Sequence, residues 1–185
     1  MNKNILILII SLILSFYSHA QELREVSVFT QVGYLAGGQI TSNTFVYQSG
    51  VSARVGVSHK VSETFSLGLG SGIDRYDVLD FFPVYGQVRA QKDQKKNGYL
   101  SVQGGYAFTA NKSTGVEVLQ RFKGGAFLEL GRAWVYPVTE KINFSAGVFI
   151  KHQYARSYLQ NQVGQKLEQN INFSTLHFRI GVDLK

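Results

Sequence analysis

Phe65-Ser66-Leu67-Gly68-Leu69-Gly70-Ser71-Gly72-Ile73-Asp74 changes residue class at almost every step. Phe65, Leu67, Leu69 and Ile73 fall on one side of an extended chain, and Ser66, Gly68, Gly70, Gly72 and Asp74 on the other. Period-two alternation marks a strand with two different environments. The composition of the polar side decides which environment lies where. A wetted strand face carries Lys, Glu and Thr, whereas glycine weakens a strand and gains nothing from water. Small residues are needed where a narrow closed barrel turns a face inward. The glycine side therefore lines an interior, and the Phe/Leu/Ile side faces hydrocarbon.

The same alternation runs along the rest of the chain. Strands are expected at residues 24–35, 45–58, 64–74, 81–91, 99–109, 124–136, 141–154 and 172–184, with Gly56, Gly105, Gly147 and Gly181 again on the polar faces. These strands are longer than those of most soluble sheets and long enough to cross a bilayer on a tilt. Short links at 59–63, 92–98 and 137–140 alternate with mostly longer ones at 36–44, 75–80, 110–123 and 155–171, the rhythm of a barrel with short periplasmic turns and longer outer loops. Lipid cannot satisfy an open sheet edge, so the first strand must pair with the last. The expected fold is all-β: a closed eight-stranded antiparallel up-and-down transmembrane β-barrel with both termini on the periplasmic rim. Tyr34, Phe45, Tyr47, Phe82, Tyr106, Phe108, Tyr154 and Phe173 would mark the outer interface, and Phe65, Trp134, Tyr136 and Phe144 the periplasmic one, as amphipathic rings do at headgroups. The rival is a soluble, lipocalin-like secreted carrier, which shows the same alternation with the faces exchanged.

Residues 1–20 read as a cleavable signal peptide: Lys3, a nearly unbroken Ile/Leu run to Phe16, then Ser18-His19-Ala20 before a cut at Gln21. An uncleaved anchor is the alternative, but the run is shorter than a spanning helix needs. Residues 21–185 form the barrel domain. Composition agrees: of 185 residues 17% are charged and 13% aromatic, and none is Cys. That charge content is low for a soluble domain, and the absence of Cys excludes disulfides, zinc knuckles and a thiol nucleophile.

Arg54, Arg89, Glu129, Lys151, His177, Arg179 and Asp183 all fall on inward faces. Unpaired charges there would be costly, so Glu129 and Asp183 should pair with nearby cations. The network is either a polar plug or a narrow ion pathway of very small conductance. Arg132 breaks the alternation by facing lipid; it either snorkels to the periplasmic interface or sits at a bulge at Gly131. The net charge is +7. Lys112, Arg121, Lys123, Arg156 and Lys166 lie in or beside the outer loops, where they either contact lipopolysaccharide phosphates or are solvated loop charges. Lys92, Lys95 and Lys96 read as solubilising charges of a periplasmic turn.

Little in the sequence points to chemistry. His59, His152 and His177 have no metal-ligand spacing, and no HExxH or CxxC occurs. Gly68 to Gly72 is one strand face, not a phosphate loop, because no helix follows. His152 with Ser157, both near the outer rim, is the only local candidate for a Ser–His hydrolase, and no rim acid is evident beside them. No catalytic residue, metal or cofactor is assigned, and export removes any nucleic-acid partner.

Phe82-Pro83-Val84-Tyr85-Gly86-Gln87-Val88-Arg89, Gly104-Gly105-Tyr106-Ala107-Phe108, Gly124-Gly125 and Phe178-Arg179-Ile180-Gly181-Val182 resemble strands of the small outer-membrane β-barrel domain family, the OmpA/OmpX-like class. The resemblance covers residues 21–185. It implies an eight-stranded barrel inserted by the outer-membrane assembly machinery; with the signal peptide, the expectation is export by the general secretory route to a Gram-negative type of outer membrane, and a monomer is expected there. The resemblance implies no single activity. The expected role is non-enzymatic and structural, adhesive or interactive, exercised through the loops after the fifth and seventh strands.

Overall fold

A computed structural model describes residues 26–41, 44–77, 79–91, 98–111, 119–160 and 166–185. Residues 1–20, read as a signal peptide, Lys112 and the turn lysines Lys92, Lys95 and Lys96 lie outside the described residues. The strands are β1 (Val26–Thr41), β2 (Thr44–Tyr47), β3 (Gly50–Lys60), β4 (Phe65–Tyr76), β5 (Leu79–Ala90), β6 (Gly98–Asn111), β7 (Leu119–Lys123), β8 (Gly125–Pro137), β9 (Ile142–Gln160) and β10 (Lys166–Leu184).

These ten strands make eight staves. β2 and β3 keep one register against β1, from Gly38 opposite Tyr47 to Leu35 opposite Gly50, so they are one stave interrupted at Gln48 and Ser49. β7 and β8 both pair with β9, but the register slips by one residue between Lys123–Arg156 and Phe127–Gln153. An extra residue bends that stave in the manner of a bulge. It falls at Gly124, where a Cβ would collide with the Ala107 carbonyl. All neighbours are antiparallel, and β1 closes on β10 from Val28–Leu184 to Ile40–Asn172. No sheet edge is left along the wall, as hydrocarbon requires.

Val32, Val55, Leu69, Val84, Val102, Leu130, Ile150 and Ile180 all point outward and are exposed. A continuous apolar wall of this size far exceeds the patch of a few hundred Å² that soluble monomers show. The soluble-carrier alternative needs these side chains inside, and their outward position removes it. Along β9 the outward file runs Phe144, Ala146, Val148, Ile150, His152, Tyr154. At ordinary strand rise and barrel tilt, Phe144 and Tyr154 stand about 25 Å apart along the axis, the height of an outer-membrane hydrocarbon band.

Three expectations are corrected. Residues 36–41, 119–123, 155–160 and 166–171, expected in loops, are strand, so β1, β7, β9 and β10 rise above the wall. Of the link expected at 75–80, residues 75, 76, 79 and 80 are strand, since β4 runs to Tyr76 and β5 starts at Leu79, and Arg75 pairs with Asp80 at 3.5 Å. Phe173, expected at the outer girdle, is 1% exposed; it shares parity with Thr175 and His177, so the pleat turns it inward, where its ring centre lies 5.3 Å from those of Tyr76 and Phe81.

Candidate functional site: the filled lumen and the outer rim

Inward positions hold the predicted charges at the middle of the barrel. Arg54, Arg89, Glu129, Lys151, His177, Arg179 and Asp183 are all buried in the lumen. Glu129 is the hub. Its Oε2 lies 3.2 Å from Arg54 Nη2 and 3.1 Å from His177 Nδ1, and Oε1 pairs with Arg179 Nη2. A carboxylate only accepts, so His177 donates through Nδ1; in the neutral ring Nε2 then accepts from the Ser52 hydroxyl, 2.5 Å away. Asp74, which the charge reading omitted, is the second hub. It takes Lys151 Nζ and, at 3.3 Å, Arg54 Nη2. Gln103 Oε1 accepts from Arg54 at 2.9 Å, and Gln31 Oε1 accepts from Arg179 at 3.1 Å.

Three cations thus share two carboxylates in this cluster. Aromatic faces take up the surplus positive charge. Arg179 lies 3.5 Å from the centre of the Phe149 ring, Lys151 Nζ 5.0 Å from that of Phe127, and Arg54 5.2 Å from that of Tyr85, within cation–π range. Nearer the short-turn rim, Arg89 donates to Asp183 at 2.8 Å and is sandwiched between Phe29 and Tyr99. Room for these groups comes from inward glycines: a Cβ on Gly70 would lie 2.6 Å from the Tyr85 ring and hydroxyl.

Above the charges the lumen becomes largely apolar, with the buried polar side chains of Gln153 and Ser157 among the rings. Leu35, Tyr76, Leu79, Phe81, Tyr85, Phe127, Ile171 and Phe173 form one buried cluster. Sequence alternation placed Tyr85 and Phe127 inward but read the interior as polar throughout. Tyr76 and Leu79 escaped because they fall inside the link read at 75–80, and Phe81 because it opens the strand that follows. Nearby, pairing of β4 with β5 lapses between Ser71–Val84 and Asp74–Phe81, at Pro83, which has no N–H to give the ladder. Below the charges, a polar vestibule of about 360 Å³ at the short-turn mouth reaches up to Arg89, Tyr99 and Asp183.

The rim cations are less gathered. Lys123 and Arg156 are exposed and directly opposite one another on β7 and β9. Arg156 also meets Glu168 at 3.1 Å. Arg121 stands opposite Tyr158, and Lys166 opposite Gln160. The Ser–His combination does not form: His152 points outward, its Nδ1 2.8 Å from Ser174 Oγ, while Ser157 is buried inside. Among the described residues no group of His, Asp and Glu is arranged to hold a metal.

No protein-family model and no curated protein sequence matches the chain. Solved structures do. The outer membrane protein OprG from Pseudomonas aeruginosa superposes with a TM-score of 0.56 at 7% identity, over 88% of this chain and 96% of that one. Neisserial surface protein A gives 0.52 at 11% identity, over 86% and 96%. With the closed wall, the outward apolar belt and the filled lumen, the chain has the fold of the small eight-stranded outer-membrane β-barrels.

Proposed function

We propose that this chain is a non-enzymatic integral protein of a Gram-negative type of outer membrane, exported by the general secretory route and inserted as a monomer by the outer-membrane assembly machinery. Its role is structural, adhesive or interactive. The observation that carries this reading is the pairing of an apolar outer wall with a lumen filled from the Arg89–Asp183 pair up to the Phe81–Phe173 cluster. A filled lumen leaves the outer rim as the working surface, and the tall β9–β10 hairpin is its largest element. Two structural neighbours carry names of the same kind, an outer membrane protein and a surface protein.

Planar bilayers containing the purified protein are expected to stay silent, with closure and insertion checked by heat-modifiable migration on a gel. Reproducible single-channel steps whose ion selectivity changes in Lys151→Met would replace this reading with the channel.

The outer-loop cations Lys112, Arg121, Lys123, Arg156 and Lys166 are assigned to lipopolysaccharide phosphates. Lys123 opposite Arg156 supports this: like charges directly opposed on neighbouring strands repel, and Glu168, which meets Arg156 at 3.1 Å, offsets one of the two charges and leaves the other for a phosphate. Arg156 lies one outward step above Tyr154, at headgroup height. At roughly 1 kcal/mol per cation near a charged surface, Lys123→Gln with Arg156→Gln should weaken lipopolysaccharide binding about thirtyfold. Dephosphorylated lipid A should bind the native and doubly substituted proteins alike; equal loss with both lipids would remove the phosphate assignment.

A further inference from the structure

Arg132 is exposed on the outward face of β8, in file with Leu128, Leu130, Trp134 and Tyr136. Its cross-strand partners are Leu100 on β6 and Val148 on β9, both exposed and apolar. Register is unbroken from Phe127–Gln153 to Pro137–Asn143, so no bulge at Gly131 turns the side chain away from lipid. Among the described residues no carboxylate lies within ion-pair distance of it. It is the one charged side chain, among those described, that faces outward between the two girdles; Arg75, Lys123 and Arg156 lie toward the outer rim.

Depth follows from the register. The rung Tyr136–Phe144 marks the periplasmic girdle, and Arg132 is four residues above it, about 10 Å into hydrocarbon at ordinary rise and tilt. The side chain does not stay at that depth. Its guanidinium lies 5.5 Å from the centre of the Trp134 ring, two residues nearer the periplasm. The charge thus bends toward the headgroups, with its hydrocarbon stem left in the belt. The indole shields one face of the guanidinium, and the N–H edge remains free to donate. That planar fork matches two oxygens of one phosphate. The anion that a bilayer offers at this level is the phosphodiester of a phospholipid, and a lone cation facing it is complementary in charge.

We propose that Arg132 and Trp134 form a binding site for the phosphate of a periplasmic-leaflet phospholipid, gripped by the guanidinium fork beside the indole. The site rests on the membrane reading. The test therefore uses protein already inserted in vesicles, with insertion scored separately by heat-modifiable migration.

Trp134 is the only tryptophan in the chain, so its fluorescence reports on the lipid beside it. Vesicles of phosphatidylethanolamine with a minor fraction of phosphatidylglycerol are prepared with bromine on the chains of one lipid or the other, and quenching gives the relative occupancy of each. Phosphatidylglycerol, with no ammonium of its own to compete, should be favoured about fivefold. The preference should vanish in Arg132→Gln and survive in part in Arg132→Lys, which keeps the charge but loses the fork. Equal occupancy in the native protein, or a preference unchanged in Arg132→Gln, would overturn the site. A preference that emerges only in Asp93→Asn would overturn it too, because the native counter-ion would then be that carboxylate from the β5–β6 connection.

Discussion

Glu129→Ala is expected to lower the stability of the inserted barrel by about 3–5 kcal/mol, the usual cost of removing one partner from a buried ion pair. Glu129 is fully buried and is the acceptor shared by Arg54, Arg179 and His177. Without it, Arg54 keeps Asp74, but Arg179 keeps only the amide oxygens of Gln31 and Gln103 and the face of Phe149. A guanidinium so placed has neither water nor a carboxylate. Its loss should therefore matter more than the lost contacts alone suggest. Removing that stranded charge as well, in Glu129→Ala with Arg179→Met, should recover part of the loss, because an apolar replacement of a buried ion pair is often close to neutral. Urea titration of vesicle-inserted protein, followed by Trp134 fluorescence, measures both. A cost below about 1 kcal/mol for Glu129→Ala would mean that water reaches these charges, and the lumen would then have to be counted as open.

Much of this architecture is legible in one line of sequence, for a definite reason. Inside the membrane the two faces of a strand meet hydrocarbon and a crowded lumen, so Leu67-Gly68-Leu69-Gly70 declares both at once. Above the membrane the outward face meets water, and the contrast disappears. Tyr154-Ala155-Arg156-Ser157-Tyr158 is still strand, with Ala155 and Ser157 buried inside and Arg156 exposed outside. No apolar period marks it, so the rim strands of β9 and β10 read as loop. The inward charges were visible because parity alone places Glu129, Lys151 and Arg179. Their partners were not, because a ladder register does not say which side chains meet across a lumen. Asp74 sits on β4 and Lys151 on β9, far apart around the wall, and they touch only because the barrel is narrow. The aromatic cluster was hidden differently. Tyr76, Leu79 and Phe81 lie in and just after the link read at 75–80 and interrupt the alternation just where Pro83 breaks the pairing of β4 with β5.

Ile150→Arg should cost about 2–4 kcal/mol in a bilayer, whereas Ile142→Arg on the same outward file should cost about 0–1 kcal/mol. Ile150 is 67% exposed, between Leu130 on β8 and Leu176 on β10. It stands between the Phe144 and Tyr154 levels, near mid-belt. Ile142 lies beyond Phe144, on the periplasmic side, where a guanidinium reaches water at once. Water would treat the two positions alike: replacing an exposed isoleucine by arginine on a wetted strand changes stability by no more than about half a kcal/mol. The gradient with depth, more than either value, is therefore the signature of hydrocarbon, because only a bilayer has a depth coordinate. Equilibrium urea unfolding from vesicles, read by Trp134, measures both variants against the native chain. Equal costs at the two positions would remove lipid from the Val/Leu/Ile wall, and so exposed a surface would then need another protein to cover it.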